Sequence, residues 1–207
     1  MRGYKTIAAP ASAEHTEKRS RFFCLAAPIH DEEGANALLA QARTRYWDAN
    51  HNCYAYILRG ATTRCSDDGE PQGTAGLPIL EVLRHRELED VILIVTRYFG
   101  GTLLGAGGLV RAYSHSAALA LDSASVLEMR PCAVFSLQLP YHHYGKVQNL
   151  LAGQGGTITN EEFSDIVALR GRIAKDSFSA FEKALAELSA GQCAPTILGE
   201  EYAHADS

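Results

Sequence analysis

The sequence predicts an α+β fold in two domains, residues 1–130 and 131–207. Short β-rich apolar runs alternate with helix-like stretches along the whole chain. This pattern restarts after residues 128–131, where a charge pair and a proline follow a predicted helix. With 207 residues, 46% of them hydrophobic, the chain is long enough for two small domains with cores of their own.

The first domain is expected to contain strands and helices in alternation. Three acidic residues at 31–33 begin a helix, because carboxylates stabilise a helix N-terminus. A continuous apolar run at 91–97 indicates a strand buried on both faces. In the last helix, Gly107–Asp122, we expect one buried side formed by Val110, Tyr113, Ala117 and Leu121. The remaining predicted elements are strands at Ser20–Ile29, Asn52–Leu58 and Thr62–Ser66 and a helix at Leu77–Arg86.

The second domain shows the element order βαββαβ, which is the ferredoxin-like arrangement of two helices on an antiparallel sheet. Its last helix carries an apolar face at helical spacing, which indicates that one side is buried. The predicted strands are Ala133–Leu139, Thr157–Thr159, Ser164–Ile173 and Pro195–Tyr202, and the helices are Tyr144–Leu151 and Ser177–Ser189.

Charge and cysteine content limit the possible classes of function. The chain has 19 basic and 24 acidic residues, so binding to nucleic acid requires a local basic patch. The acidic excess lies mainly in residues 131–207, which hold 5 Lys/Arg against 9 Asp/Glu. Five widely spaced cysteines without a CxxC motif are typical of buried thiols in a reducing cytosol. Neither a signal peptide nor a membrane span is expected, which predicts a cytoplasmic protein.

The glycine-rich segment after the buried strand is the main candidate for a binding site. It leads into a helix, where free backbone N–H groups favour an anion. It lacks the GK[ST] ending of a P-loop and the GxGxxG spacing of dinucleotide sites. Arg97 and Arg111 flank the segment, and two guanidinium groups there suit a phosphate. The alternative is that its glycines only allow close packing.

An acidic turn provides a second candidate site. Asp67, Asp68 and Glu70 lie within four residues and could hold Mg²⁺, which prefers oxygen ligands. The alternative is an ordinary tight turn, in which Asp, Gly and Pro are common. His51 would act as a general acid or base only beside an orienting partner such as Asp68, and it is otherwise structural. Thr74 either caps the following helix or contacts a ligand.

A basic cluster precedes the first predicted strand. Lys18, Arg19 and Arg21 lie beside two phenylalanines, a composition that can bind single-stranded nucleic acid. Alternation along the strand places Arg21 on the opposite side from Ser20 and Phe22. The alternative interpretation is a solvated surface next to core aromatic residues.

Four motifs carry a resemblance to a known family. They read KRSRF at residues 18–22, HNCYAYIL at 51–58, SDDGEPQGTAGLPIL at 66–80, and RYFGG at 97–101 followed by LLG and GGLVRAYS. In this order they resemble the signature motifs of the YigZ/IMPACT family. The resemblance covers roughly residues 4–125 and is weaker over 131–202, where only the pattern of elements agrees.

The resemblance implies a fold and a biological setting. The family's N-terminal domain resembles a two-layer α/β fold shared by a ribosomal protein and domain IV of elongation factor G. Its C-terminal domain resembles the ferredoxin-like domain V of the same factor. Eukaryotic relatives regulate translation by binding proteins. RNA, the ribosome or a protein partner in translation control are therefore the expected partners, and a membrane is not.

Taken together, the residues and the resemblance predict a non-catalytic, translation-linked regulator that binds RNA, the ribosome or a phosphate-bearing ligand through the glycine-rich loop. One alternative is a metal-assisted phosphoester or nucleotide enzyme that uses the acidic turn with His51. Another is a protein-interaction module whose acidic second domain meets a basic partner. No cofactor, metal ligand or catalytic residue is assigned, and the oligomeric state stays open. The predicted ligand-binding residues are Lys18, Arg21, His51, Asp68, Glu70, Thr74, Arg97, Gly100, Gly101, Gly107 and Arg111.

Overall fold

The chain folds into two α+β units, so the predicted fold class is confirmed. The computed structural model describes residues 2–60 and 62–204. One unit comprises Tyr4–Leu127, and the other comprises residues 2–3 and 128–204. The first contains β1 (Tyr4–Ile7), β2 (Ala11–Glu17), β3 (Ser20–Pro28), α1 (Glu32–Arg45), β4 (His51–Leu58), β5 (Thr62–Ser66), α2 (Gly76–His85), β6 (Val91–Tyr98) and α3 (Ala106–Asp122). The rest are β7 (Val126–Leu139), α4 (Tyr141–Gly153), β8 (Thr157–Phe163), β9 (Val167–Ala174), α5 (Phe178–Leu188) and β10 (Thr196–His204).

The first unit is an antiparallel sheet with helices on both faces. Its strands pair in the order β2-β3-β6-β4-β5. In the central strand β6, Leu93 and Val95 belong to one core and Ile92 and Ile94 to the other, because side chains alternate along a strand. Helices α2 and α3 contribute to the first core and α1 to the second. With helices on both faces of the sheet, this unit has three layers, and α1 forms the layer that the two-layer fold implied by the family resemblance does not include.

A hairpin at the edge of this sheet escaped the sequence prediction. Strand β2 pairs with β3 from Ala11–Ala26 to Glu17–Ser20. Its sequence, ASAEHTE, alternates between exposed and half-buried positions and has no apolar run. The turn consists of Lys18 and Arg19, with φ of 45° and 69°. Two positive φ angles in succession are typical of the tight turns that match the twist of a hairpin.

The predicted buried side of α3 is wrong by part of a turn. Val110 is 37% exposed, whereas Leu109 is buried. Tyr113, Ala117 and Leu121 are buried as expected. Pairs of adjacent residues are buried along the helix, because it packs against both the sheet and α2 and so needs a wider apolar stripe.

The second unit has the predicted ferredoxin-like topology. Its strands pair in the order β10-β7-β9-β8, all antiparallel. The inward side chains of β7 and β9 form one core with α4 and α5, centred on Phe135 and Phe181, which are fully buried. The side chains of Phe135 and Phe181 are in contact, with ring centroids 5.2 Å apart.

Strand β7 is longer than the sequence predicts. It begins at Val126, seven residues before the predicted start, and runs through 128–131 without interruption. Pro131 lacks an N–H donor, but it lies opposite Tyr202 and its carbonyl accepts a hydrogen bond from the Lys175 N–H at 3.0 Å. A proline is tolerated in a strand where no donor is required of it.

We expect Phe135→Ala to lower the free energy of unfolding by about 3–5 kcal/mol, because it removes a ring from a closed core. Phe163→Ala is the matched control, since Phe163 is 56% exposed, and its cost should be about 1 kcal/mol or less. Urea denaturation followed by circular dichroism measures both. Equal costs for the two variants would contradict the assignment of Phe135 to the core.

Candidate functional site

The glycine-rich loop, residues 99–105, presents the N-terminus of α3. Gly105 is the N-cap residue, with φ of 73°, and no side chain caps the helix. The first hydrogen bond of the helix runs from the Leu109 N–H to the Gly105 carbonyl at 2.9 Å. The N–H groups of residues 106–108 make no hydrogen bond with any described residue. This helix end therefore offers three unpaired donors to solvent.

The glycines of the loop serve different purposes. A Cβ atom on Gly100 would lie 2.0 Å from the carbonyl carbon of Arg19, so the close approach of loop and hairpin requires glycine. The Gly100 N–H also donates to Ser20 Oγ at 3.1 Å. Gly101 has open space around it but a φ of 79°. A Cβ on Gly107 would meet only Arg111 Nη1, at 3.6 Å.

Arg97 and Glu70 form a buried ion pair beneath the loop. Arg97 Nη1 donates to Glu70 Oε1 at 2.5 Å, and the two side chains are only 6% and 4% exposed. The Tyr113 hydroxyl donates to the same oxygen at 2.7 Å. Burial is the main cause that raises the pKa of Tyr113, which keeps its hydroxyl a donor. Arg97 Nη2 donates to Ser20 Oγ at 3.3 Å.

The acidic turn holds His51 in one orientation. His51 Nδ1 lies 2.9 Å from the carbonyl oxygen of Asp68. A carbonyl only accepts, so Nδ1 carries the proton and Nε2 of the neutral ring is an acceptor. Nε2 lies 3.9 Å from Glu70 Oε1. The Asp68 backbone that fixes the ring has a φ of 43°, an uncommon value for a residue other than glycine.

Asp67 and Asp68 are both engaged by the protein itself. Asp67 Oδ1 accepts from the N–H groups of Ala75 and Gly76 at 3.0 and 2.8 Å, and Oδ2 accepts from that of Gly73 at 2.8 Å. Although burial opposes it, these three hydrogen bonds lower the pKa of Asp67. The Asp67 carboxylate thus caps the start of α2.

Asp68 and the rest of the turn have structural partners as well. Asp68 Oδ2 accepts from the Asn52 N–H at 2.7 Å, and Oδ1 accepts from Arg43 at 3.3 Å. Thr74 is buried, and its hydroxyl donates to the Pro71 carbonyl at 2.6 Å. Among residues 2–60 and 62–204, no group of three or more His, Cys, Asp or Glu is arranged to hold a metal ion.

A cleft of about 470 Å³ opens between the acidic turn and the glycine-rich loop. This volume falls within the usual range of ligand sites, roughly 300–1,000 Å³. Its polar lining is Asn50, His51, Glu70 and Arg97, and its apolar rim includes Phe99 and Leu103, which are 46% and 84% exposed. The first residue of α3 also lines the cleft, so the unpaired helix end lies beside the buried ion pair.

The predicted cations divide into two groups. Lys18 and Arg111 are exposed and make no ion pair with any described residue, and Arg19 shares this property. Arg21 lies on the opposite face of the sheet from Arg97, where it pairs with Glu14 at 2.9 Å. The structure therefore does not bring Arg21 to the cleft.

Two residues of the site have no signal in the sequence. Ser20 is fully buried and joins Arg97 to the Gly100 N–H. Tyr113 lies on the apolar side of α3, where the sequence indicates only core packing, but its hydroxyl donates to Glu70. Alternation along β3 identifies the face on which Ser20 lies, but contacts between residues far apart in sequence can only be read from the fold.

Comparisons with known proteins agree with this architecture. Residues 18–121 match the model of the Impact N-terminal domain, and residues 137–192 match a domain of unknown function, DUF1949. The chain is 34% identical over 194 residues to the IMPACT family member YvyE of Bacillus subtilis, which covers 93% of this chain and 89% of YvyE. It is also 34% identical over 196 residues to YigZ of Escherichia coli, covering 92% of this chain and 96% of YigZ.

The chain belongs to the IMPACT family. A crystal structure of a hypothetical protein has the same fold, with a TM-score of 0.63 and 32% identity over 96% of this chain and 98% of that one. Like the family motifs, the cleft lies within the part matched by the Impact N-terminal domain. No helix in residues 2–60 and 62–204 is long and apolar enough to cross a membrane.

We expect Gly100→Ala to destabilise the protein by several kcal/mol, because the added Cβ collides with backbone that cannot move independently. Gly107→Ala is the matched control within the same segment. It should be neutral or stabilising by up to about 1 kcal/mol, since alanine favours a helix. Thermal unfolding of the two variants shows whether the packing of the loop requires glycine at position 100 but not at position 107. Equal stability of both variants would contradict the close contact with Arg19.

We expect Asp67→Asn to lower stability at pH 7 by about 1 kcal/mol, the typical cost of losing a helix cap. The pKa of Asp67 is lowered by folding, so its contribution exists above about pH 4 and fades as the pH falls further. Urea denaturation from pH 7 to pH 3 should therefore show the difference from wild type narrowing. Asp165→Asn, at an exposed position, controls for the loss of charge. A difference independent of pH would contradict this role.

Proposed function

We propose that this protein is a non-catalytic, translation-linked regulator that binds RNA, free or on the ribosome, or another phosphate-bearing ligand at the glycine-rich loop. The observation that carries the proposal is the uncapped N-terminus of α3 at the mouth of a cleft, with Arg111, which has no acidic partner among the described residues, beside it. Arg97, which lines the same cleft, has a buried Nε–H without a hydrogen-bond partner among the described residues, and this supports a ligand there.

Electrostatics favour an anion at this end of α3. The 17-residue helix carries about half a positive charge at its N-terminus, in addition to its three unpaired N–H groups. The guanidinium of Arg111 lies over Gly107, and the backbone of Arg19 abuts the loop at Gly100. Most other exposed cations of this unit pair with carboxylates, for example Arg84 with Glu81 and Arg86 with Asp122, whereas Arg45 lies over the Tyr46 ring. We assign Lys18, Arg19 and Arg111 to phosphate because they belong to the loop, its helix and the hairpin turn that touches it.

Arg97 has a supporting role in this proposal. Its charge is balanced by Glu70, so it adds little net attraction for a phosphate. Removing one member of a buried ion pair typically costs about 3–5 kcal/mol, because the other charge is left buried and unpaired. We therefore assign the phosphate contacts to the α3 N–H groups and to the exposed cations, and assign Arg97 to the floor of the cleft.

The apolar rim supports a nucleic acid over a small inorganic anion. Phe99 is half exposed, and the guanidinium carbon of Arg97 lies 5.7 Å from its ring centroid. Aromatic rings beside a cationic groove are the usual means of binding single strands, since each base can stack on them. The translation link comes from the family resemblance, which implies that eukaryotic relatives regulate translation.

We expect single-stranded RNA to bind with an affinity that falls steeply as salt is added, because phosphate contacts release counterions. The variant Lys18→Ala/Arg19→Ala/Arg111→Ala should reduce the slope of log K against log salt by about 2, the value for three lost contacts. Fluorescence anisotropy with a labelled oligonucleotide measures both slopes.

The matched control is Arg84→Ala/Lys146→Ala/Lys183→Ala, which removes three exposed cations from elements outside the loop. It should keep the slope of the wild type. An equal loss in both triple variants would mean that only the net charge matters. No RNA binding by the wild type would overturn the proposal and favour a protein partner.

A further inference from the structure

The cleft contains two hydrogen-bond acceptors that the protein leaves unused. Glu70 Oε1 accepts from Arg97 and Tyr113, but Oε2 accepts from no described residue. The Glu70 side chain is only 4% exposed, but Oε2 is not one of its fully buried atoms, so it is open to a molecule in the cleft. The arrangement therefore favours a ligand that brings a hydrogen-bond donor.

His51 supplies the second acceptor. Its Nδ1–H is held by the Asp68 carbonyl, which directs the lone pair of Nε2 away from the turn. The nearest carboxylate oxygen to Nε2 is Glu70 Oε1, at 3.9 Å, and both residues line the cleft. Two acceptors on neighbouring side chains select a hydroxyl or amino group, and they disfavour a second anion at the same point.

The floor and the mouth of the cleft thus select different chemical groups. The mouth has the free N–H groups of α3 with Arg111 beside them, which suit a phosphate, and the rim has Phe99, which suits a base. The floor has the acceptors of His51 and Glu70 next to two donors, which are the Asn50 amide and the buried Arg97 Nε–H, and the latter has no hydrogen-bond partner among the described residues. Phosphate, base and a hydroxyl donor occur together in a ribonucleotide.

We propose that His51 and Glu70 recognise the ribose 2′-hydroxyl, so that the cleft prefers RNA to DNA. This inference rests on the proposed binding of a phosphate-bearing strand at the glycine-rich loop. A 2′-hydroxyl donates its proton to His51 Nε2 or Glu70 Oε2, and DNA has no donor at that position. The 2′-hydroxyl is the group by which proteins generally distinguish the two nucleic acids. Sites built to bond a hydroxyl reject analogues that lack it, because their buried polar groups stay unpaired.

The test compares three single-stranded oligonucleotides of one sequence: RNA, DNA and fully 2′-O-methylated RNA. The methylated strand keeps an RNA-like sugar but has no hydroxyl proton to donate. Anisotropy titrations of the wild-type protein at one salt concentration should show RNA binding roughly tenfold more tightly than either of the others, as expected for one lost hydrogen bond.

Each outcome bears on the inference. Equal binding of RNA and methylated RNA would overturn it, because the donor would then be unnecessary. Equal binding of RNA and DNA would also overturn it, while leaving phosphate binding at the loop intact. No binding of any strand would overturn the proposed function and this inference together.

A variant tests whether the cleft is the source of the preference for RNA over DNA. In His51→Phe, which keeps a ring and loses Nε2, the ratio of RNA to DNA affinity should fall to within about twofold of one. His85→Phe is the matched control, since His85 is exposed at the end of α2, and it should keep the full ratio. An unchanged ratio in a folded His51→Phe protein would show that the cleft does not read the hydroxyl.

Discussion

The first unit depends on the buried ion pair between Arg97 and Glu70. Four separate segments meet there: the end of β6 carries Arg97, the acidic turn carries Glu70, α3 supplies Tyr113, and β3 begins with Ser20. Burying two charges is favourable only when further hydrogen bonds satisfy them, and the two hydroxyls provide two such bonds, while Arg97 Nε has no partner among the described residues. The same contacts fix the loop, because Ser20 Oγ also accepts from Gly100. The cleft is therefore shaped by the contacts that satisfy this ion pair.

The ion pair also explains why similar residues in one motif have different roles. Arg97 and Arg111 flank the same glycines, but the first is buried and neutralised, and the second is exposed and makes no ion pair within the described part of the chain. Gly100 and Gly107 differ in the same way, since only the first touches backbone of another strand. Residues next to the ion pair support the fold, and those on the outer side of the loop are free to contact a ligand.

Sequence reasoning succeeded where the signal is local. The continuous apolar run predicted β6, and the alternation of elements predicted the ferredoxin-like topology of the second unit. It failed for β2, because an edge strand needs few apolar residues and its pairing with β3 depends on the turn at Lys18. The placement of Arg21 followed from alternation along β3, which puts it on the face opposite Ser20.

The chemistry of the cleft was beyond prediction because it depends on how each carboxylate is oriented. Three acidic residues in four suggest a metal site, yet Asp67 binds backbone N–H groups and Asp68 binds Asn52 and Arg43.

Only Glu70 turns inward, and its charge is balanced by Arg97. The cleft consequently has a nearly neutral floor with unused acceptors and an apolar rim, and exposed cations lie outside this rim. Under the proposed function, the cations beside the loop attract a phosphate locally although the chain has a net charge of −5. A phosphate alone would leave the acceptors of His51 and Glu70 unused, whereas a ligand that also carries a hydroxyl donor would use both parts of the site.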